Sequence, residues 1–187
     1  MTNTRYIRSS LVVSIALLLV FTSSGAVFAQ SGSVDAQGSP DIELYVPDNE
    51  VTPGTEATLT VQYNNDGEFI KGNEANREYV TTARSVVTSL DAEDTPISVT
   101  TGEQSVGRIT ETQPKPVEFD IEVPDDADPG TYELEVDIDY TYTSKAIFGV
   151  PNQRNVQTTK SRSLEKEIEI EITDDARFRV TNVTSDL

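Results

Sequence analysis

From Thr131 to Tyr142, apolar and polar residues change places at every step. Tyr132, Leu134, Val136, Ile138, Tyr140 and Tyr142 share one parity, and Glu133, Glu135, Asp137, Asp139 and Thr141 share the other. Successive strand side chains point to opposite faces, so a period of two predicts a strand with one face buried and one wet. The same alternation runs through Ile42, Leu44 and Val46; Ala57, Leu59, Val61 and Tyr63; and Val117, Phe119, Ile121 and Val123. A final run sets Leu164, Ile168, Ile170 and Ile172 against Glu165, Glu167, Glu169 and Glu171. Two runs are released by Pro-Gly-Thr turns, Pro53-Gly54-Thr55 and Pro129-Gly130-Thr131. Proline presets φ at such corners and glycine accepts positive φ.

Between these runs the pattern is weaker. Asn64-Asn65-Asp66-Gly67 reads as a turn closing the second run. Glu74 to Leu90 scores as a helix by spacing, but Tyr79, Val80, Thr81, Thr82, Val86, Val87 and Thr88 are β-branched or aromatic, which favours a strand from about Ala83 to Asp91. Pro96 marks a short edge strand near Ile97 to Thr100, and Gly102 to Thr112 reads as a loop crossing between sheets. Ala146-Ile147-Phe148-Gly149-Val150-Pro151 is an apolar patch in an otherwise polar hairpin, expected to tuck over the open end of the core, with a contact surface as the alternative. Seven to eight antiparallel strands between Asp41 and Asp175 predict an all-β fold, an immunoglobulin-like antiparallel sandwich of two sheets.

The first residues carry a different signal. Arg5 and Arg8 precede a nearly continuous apolar core from Leu11 to Phe21, and Val27-Phe28-Ala29 sets compact residues before Gln30. This is the layout of a secretory signal over residues 1–29, cleaved between Ala29 and Gln30, with a retained anchor as the alternative. The apolar run is about half of the ~20 residues that a bilayer span needs, and no second such run follows, so no membrane span is expected in the mature chain. Gln30 to Pro40, rich in Ser, Gly and Gln, reads as a flexible linker.

Charge narrows the setting. The chain has 32 acidic residues against 14 basic ones, a net charge of -18, and neither Cys nor His. Such a surface repels nucleic acid and anionic lipid. Without Cys and His there are no disulfides, thiol nucleophiles, His-based triads or Cys/His zinc sites. Carboxylates in this excess, with Lys scarce, fit a surface adapted to high salt, where screening removes self-repulsion.

Thr52-Pro53-Gly54-Thr55 leading to Leu59-Thr60-Val61, the Asn64 to Gly67 turn, and Val123-Pro124 through Pro129-Gly130-Thr131-Tyr132-Glu133-Leu134 carry a resemblance. From Asp41 to Asp175 the chain resembles the Ig-like repeats of archaeal, in particular haloarchaeal, S-layer-type surface proteins. It is also similar to cell-adhesion-related Ig-like domains of bacteria and to those appended to some glycosidases. The resemblance implies a modular cell-surface protein whose partners are other cell-envelope proteins, often with several such domains in series and an anchor near the C-terminus. This chain departs from that pattern in holding one complete domain. Residues 176–187 begin a fresh alternation at Phe178 and Val180, which reads either as the first strand of a second repeat or as an added edge strand.

Few residues stand out as chemistry. Asp125, Asp126 and Asp128 crowd one turn and are candidate calcium ligands, although the spacing is not that of an EF-hand and a solvated turn is the favoured account of them. Asp48, Asn49 and Glu50 form a similar turn. Asn182-Val183-Thr184 is a glycosylation sequon, accessible if the chain is exported. Carboxylate pairs are too plentiful to single out an acid and base, and neither a Gly-x-Ser-x-Gly elbow nor a phosphate loop is present. The sequence therefore predicts no enzyme and no cofactor, but an exported structural or adhesive module at the cell surface. The alternative is an extracytoplasmic accessory domain that positions a transport or carbohydrate-active partner.

Overall fold

A computed structural model describes residues 34–149 and 155–173. Chain contacts divide the protein into Met1–Gln30 and Ser31–Leu187, and the described residues all lie in the second unit. They form two antiparallel-rich sheets packed as an all-β sandwich, consistent with an immunoglobulin-like fold. The strands are β1 (Val34–Ser39), β2 (Ile42–Tyr45), β3 (Glu50–Val51), β4 (Thr55–Asn65), β5 (Glu68–Lys71), β6 (Ala83–Asp91), β7 (Ser98–Val99), β8 (Gln104–Ile109), β9 (Lys115–Val123), β10 (Gly130–Phe148) and β11 (Val156–Ile172). A short helix α1 (Arg77–Thr81) follows a 3-10 turn at Glu74–Asn76.

The smaller sheet runs β2-β4-β9-β7. In the larger, β10 pairs with β11 along one side, while its other side is shared by β6 from Glu135 to Thr141 and by β1 from Lys145 to Phe148. The changeover falls at a register shift between Thr143 and Lys145. The alternating runs deliver their apolar parity to one core, where Leu59, Val61, Phe119 and Ile121 of the smaller sheet join Leu134, Val136, Ile138, Ile168 and Ile170 of the larger.

Several expectations need correction. Among the described residues there are eleven strands rather than seven or eight. The stretch read as a flexible linker is strand β1 from Val34, paired with β10 and β5. Its small residues hide it from a hydrophobicity pattern yet let it pack closely: Ala36 is fully buried, and a Cβ on Gly38 would lie 2.7 Å from the Glu68 carbonyl oxygen. Within the stretch read as a crossing loop, residues 104–109 form β8 against β6, with irregular register. The last strand begins at Val156 rather than near Leu164, because pairing with β10 continues although its residues there are exposed.

The stretch that scored both ways is helix first and strand second. Thr81 and Thr82 close α1 by donating their hydroxyls to the carbonyls of Arg77 (3.1 Å) and Glu78 (2.6 Å). The helix covers a second, smaller core of Ala36, Val80 and Ala146, joined by Phe69, Tyr79 and Phe148. Phe148 meets Tyr79 edge-to-face at 5.3 Å, so this part of the hairpin patch packs into the small core rather than over the end of the large one. Arg77 anchors α1 through Glu111, donating from Nε and Nη2 at 2.8 to 3.1 Å, and the same carboxylate, 3.0 Å from the Thr81 hydroxyl, is that hydroxyl's alternative acceptor to the Arg77 carbonyl. The hydrogen bonds from Arg77 hold the Glu111 carboxyl below its ordinary range against the opposing effect of burial. That contribution to stability is present above the ordinary carboxylate range and is lost as pH falls through the lowered value.

The two Pro-Gly-Thr turns differ in conformation. Gly54 has φ +69, whereas Gly130 does not have positive φ and opens β10 directly. The Gly54 N–H donates to the Val123 carbonyl at 2.9 Å, which ties the turn to the end of β9. The positive φ favours glycine, and a Cβ at position 54 would sit 2.0 Å from Asp125 Oδ1, so the exposed Asp125 side chain would have to move for any other residue. Gly54→Ala is expected to cost about 1 to 3 kcal/mol in chemical denaturation, the range for a strained backbone site. A loss below about 0.5 kcal/mol, the level of an ordinary surface change, would show that the Asp125 loop yields freely.

Candidate functional site

The outer face of the larger sheet is built from the polar parity of β6, β10 and β11. Register places Glu135 between Asp91 and Glu167, Asp137 between Ser89 and Glu165, and Asp139 between Val87 and Ser163. The same parity continues down the hairpin with Glu133 opposite Glu169, and Glu171 beside Glu50 of β3. Directly opposed like charges destabilise a sheet, and here they are stacked in successive rungs.

Carboxylate oxygens of Glu135, Asp137 and Glu165 come within 4.8 Å of one another. Burial by the surrounding chain, followed by the charges of Glu165, Asp137, Asp91 and Glu167, pushes the Glu135 carboxyl above its ordinary range. The ion pairs among the described residues lie elsewhere. Lys166, on the opposite parity, reaches Glu43 at 3.4 Å; Lys71 and Lys145 share Asp35 at 2.8 and 3.5 Å; and Arg77 binds Glu111.

Support comes from the core beneath. Thr88 donates to the Asp137 carbonyl at 2.7 Å, and its hydroxyl stands 2.7 Å from that of Tyr63 on the facing sheet. Burial of Tyr63 pushes its phenol up to about 12. A polar link thus crosses the sandwich and fixes the backbone under the middle rung. Beside the first rung, Glu93 donates its N–H to Asp91 Oδ1 at 2.9 Å, and Asp94 takes a positive φ of 63, so the loop after β6 curls into the wall of a carboxylate-lined groove.

The aspartates named from sequence are placed differently. Asp125, Asp126 and Asp128 are exposed in the turn before β10. Asp125 packs over Gly54, and the Asp128 carbonyl accepts from the Tyr132 hydroxyl at 2.8 Å. Among the described residues, the one trio of carboxylates drawn together is that of Glu135, Asp137 and Glu165. Asp48 and Asn49 lead into β3, where the Asn49 amide donates to the Glu169 carbonyl at 3.2 Å. Asn182 and the Ala29-Gln30 junction lie outside the described residues.

The trio offers the hard oxygens that suit a cation of the calcium type or the counter-ions of a saline medium. It was legible only as a shared parity, Glu-x-Asp on one run and Glu-x-Glu on the other. The register that brings the two runs together is a property of the sheet. Comparison with known proteins finds no matching family model and no curated relative. Fold and site together define an all-β sandwich with a carboxylate-rich sheet face.

Replacing Glu135 with Gln is expected to raise the melting temperature at neutral pH at the lowest salt concentration where the protein is folded, and to change little in molar salt. A raised carboxyl favours the folded state below the ordinary carboxylate range, and that contribution is lost as pH rises through the raised value. The gain from Glu135→Gln should therefore appear on the alkaline side of that range. An equal gain at that lower salt concentration and in molar salt would rule out charge repulsion as its source.

Proposed function

We propose that this protein is an exported, non-catalytic Ig-like module of the cell envelope of a halophilic archaeon, with a structural or adhesive role at the surface. The observation that carries this reading is the ladder of carboxylates across β6, β10 and β11, set on a well-packed sandwich. In dilute solution each rung opposes folding. In molar salt the screening length falls to about 3 Å, shorter than the distance between most charges on a surface, so the ladder becomes tolerable and holds water at the face. The basic, then apolar, then small-residue layout of residues 1–29 supports export, and the resemblance of the turns and strands to surface-protein repeats supports the envelope.

The reading is tested first by circular dichroism, with structure retained in molar salt and lost in dilute buffer at the same pH. An unchanged spectrum would overturn the halophilic reading. Fractionation of cells in high salt, with cross-linking and identification of the captured proteins, tests the location. Association with envelope proteins is expected, and recovery only as a free monomer in the medium would overturn the envelope role.

A further inference from the structure

Strand β11 has an uncovered side. Its neighbour β10 borders it from Val156 to Ile172, but on the other side only the two residues of β3 pair with it, at Glu171 and Ile172. Among the described residues no other strand covers that edge. Bonding at the occupied end shows which residues address it: the Glu171 N–H donates to the Asn49 carbonyl at 2.8 Å, and the Glu169 carbonyl accepts from the Asn49 amide. Thr158, of the other parity, turns its carbonyl to Ser144 on β10. The register of β11 runs without a skipped residue, so Glu167, Glu165, Ser163 and Ser161 turn successive backbone N–H and C=O groups to the open edge. Such a row is a template for another strand.

The side chains along this edge specify what fits. One face carries Glu165, Glu167 and Glu169, while the other carries Leu164, Lys166 and Ile168, of which Leu164 and Ile168 pack with the main core and Lys166 turns to Glu43 of β2 at 3.4 Å. A complementary strand is basic on one parity and apolar on the next. Residues 176–181 have that pattern, with Arg177 and Arg179 alternating with Phe178 and Val180. We propose that residues 176–181 of a second copy of this chain add as a strand to the open edge of β11. Arg177 and Arg179 lie over the glutamates, and Phe178 and Val180 extend the apolar face beside Leu164 and Ile168. The backbone supplies affinity and the alternating side chains supply register, as in other strand additions. The chain's own tail is the poorer occupant. It leaves β11 at Thr173, whose N–H donates to the Val51 carbonyl at 2.9 Å, so β3 stands between that exit and the open edge.

Sedimentation velocity on the full-length protein, at a salt concentration where circular dichroism shows it folded, tests the proposal. Concentration-dependent self-association is expected. R177E/R179E should weaken it at least tenfold, F178D should weaken it without moving the melt, and adding E165R/E167R to R177E/R179E should restore it. A wild-type protein that stays monomeric, or an R177E/R179E protein that associates as wild type does, would overturn the proposal. So would protection of residues 176–181 from hydrogen exchange in an isolated monomer, which would place the tail on its own chain. Because R177E/R179E changes only the tail, the test stands even if E165R/E167R fails to fold.

Discussion

Phe119→Ala is expected to lower stability by about 3 to 5 kcal/mol, the range for deleting a fully buried aromatic side chain. Phe119 lies midway along β9, opposite Leu59 of β4, and is completely buried within the main core. The cost combines lost transfer free energy with a cavity that neighbours anchored in two sheets fill only partly. Chemical denaturation in molar salt checks it, with a lower midpoint and an unchanged slope. Glu118→Ala, one residue away and exposed on the other face, should stay within about 0.5 kcal/mol. Similar losses at both positions would mean that the alternation along β9 does not decide burial.

Asn65→Ala should be nearly as damaging. Asn65 is buried at the end of β4, where its carbonyl oxygen accepts the Asp41 N–H at 3.0 Å. Its amide donates to the carbonyls of Thr81 at 2.8 Å and Ile109 at 3.2 Å. One side chain therefore joins β4 to the start of β2, the end of α1 and the end of β8. Alanine would strand three backbone groups, and at about 1 to 3 kcal/mol for each unsatisfied group the loss is expected to be on the order of 3 to 5 kcal/mol. Asn65→Asp separates geometry from polarity, because it keeps the acceptor for Asp41 while turning a carboxylate towards two carbonyls. It should be at least as destabilising as alanine at neutral pH and recover partly in acid, where the carboxyl can donate. A melt shift below that of a typical surface change for Asn65→Ala would show that water replaces the side chain at this corner.

Asn65 also marks where reading the sequence stops working. In Asn64-Asn65-Asp66-Gly67 it is one member of a turn signal, and β4 does end there, with the Asp66 N–H donating across to the Asp41 carbonyl at 2.8 Å in line with the β2–β4 pairing. Asn65 continues the buried parity of Leu59, Val61 and Tyr63, whereas Asn64 has the other parity, but the turn signal gives no reason for a buried asparagine to end that run. The reason comes from partners 16, 24 and 44 residues away. The carboxylate trio is the same kind of case. Glu135 and Asp137 are neighbours by parity on one strand, but Glu165 joins them only through the pairing of β10 with β11. The aspartates clustered in sequence at 125, 126 and 128 are exposed in their turn and are not gathered in the same way.

Local physics was enough for much of the fold. Alternation over β2, β4, β9, β10 and the last half of β11 identifies strands and their buried faces, because the strand period is a property of the backbone itself. Gly54 was legible as a left-handed corner for the same reason. Tertiary structure decided what depends on closeness between distant segments. It made a strand of the small residues of β1 and ended the helix at Thr82 so that β6 could begin. It also set the register that stacks carboxylates across three strands and left one edge of β11 open among the described residues. Periodicity records how each residue faces along its own strand; register and edges depend on which strand lies beside it, and that is settled only when the sheets assemble.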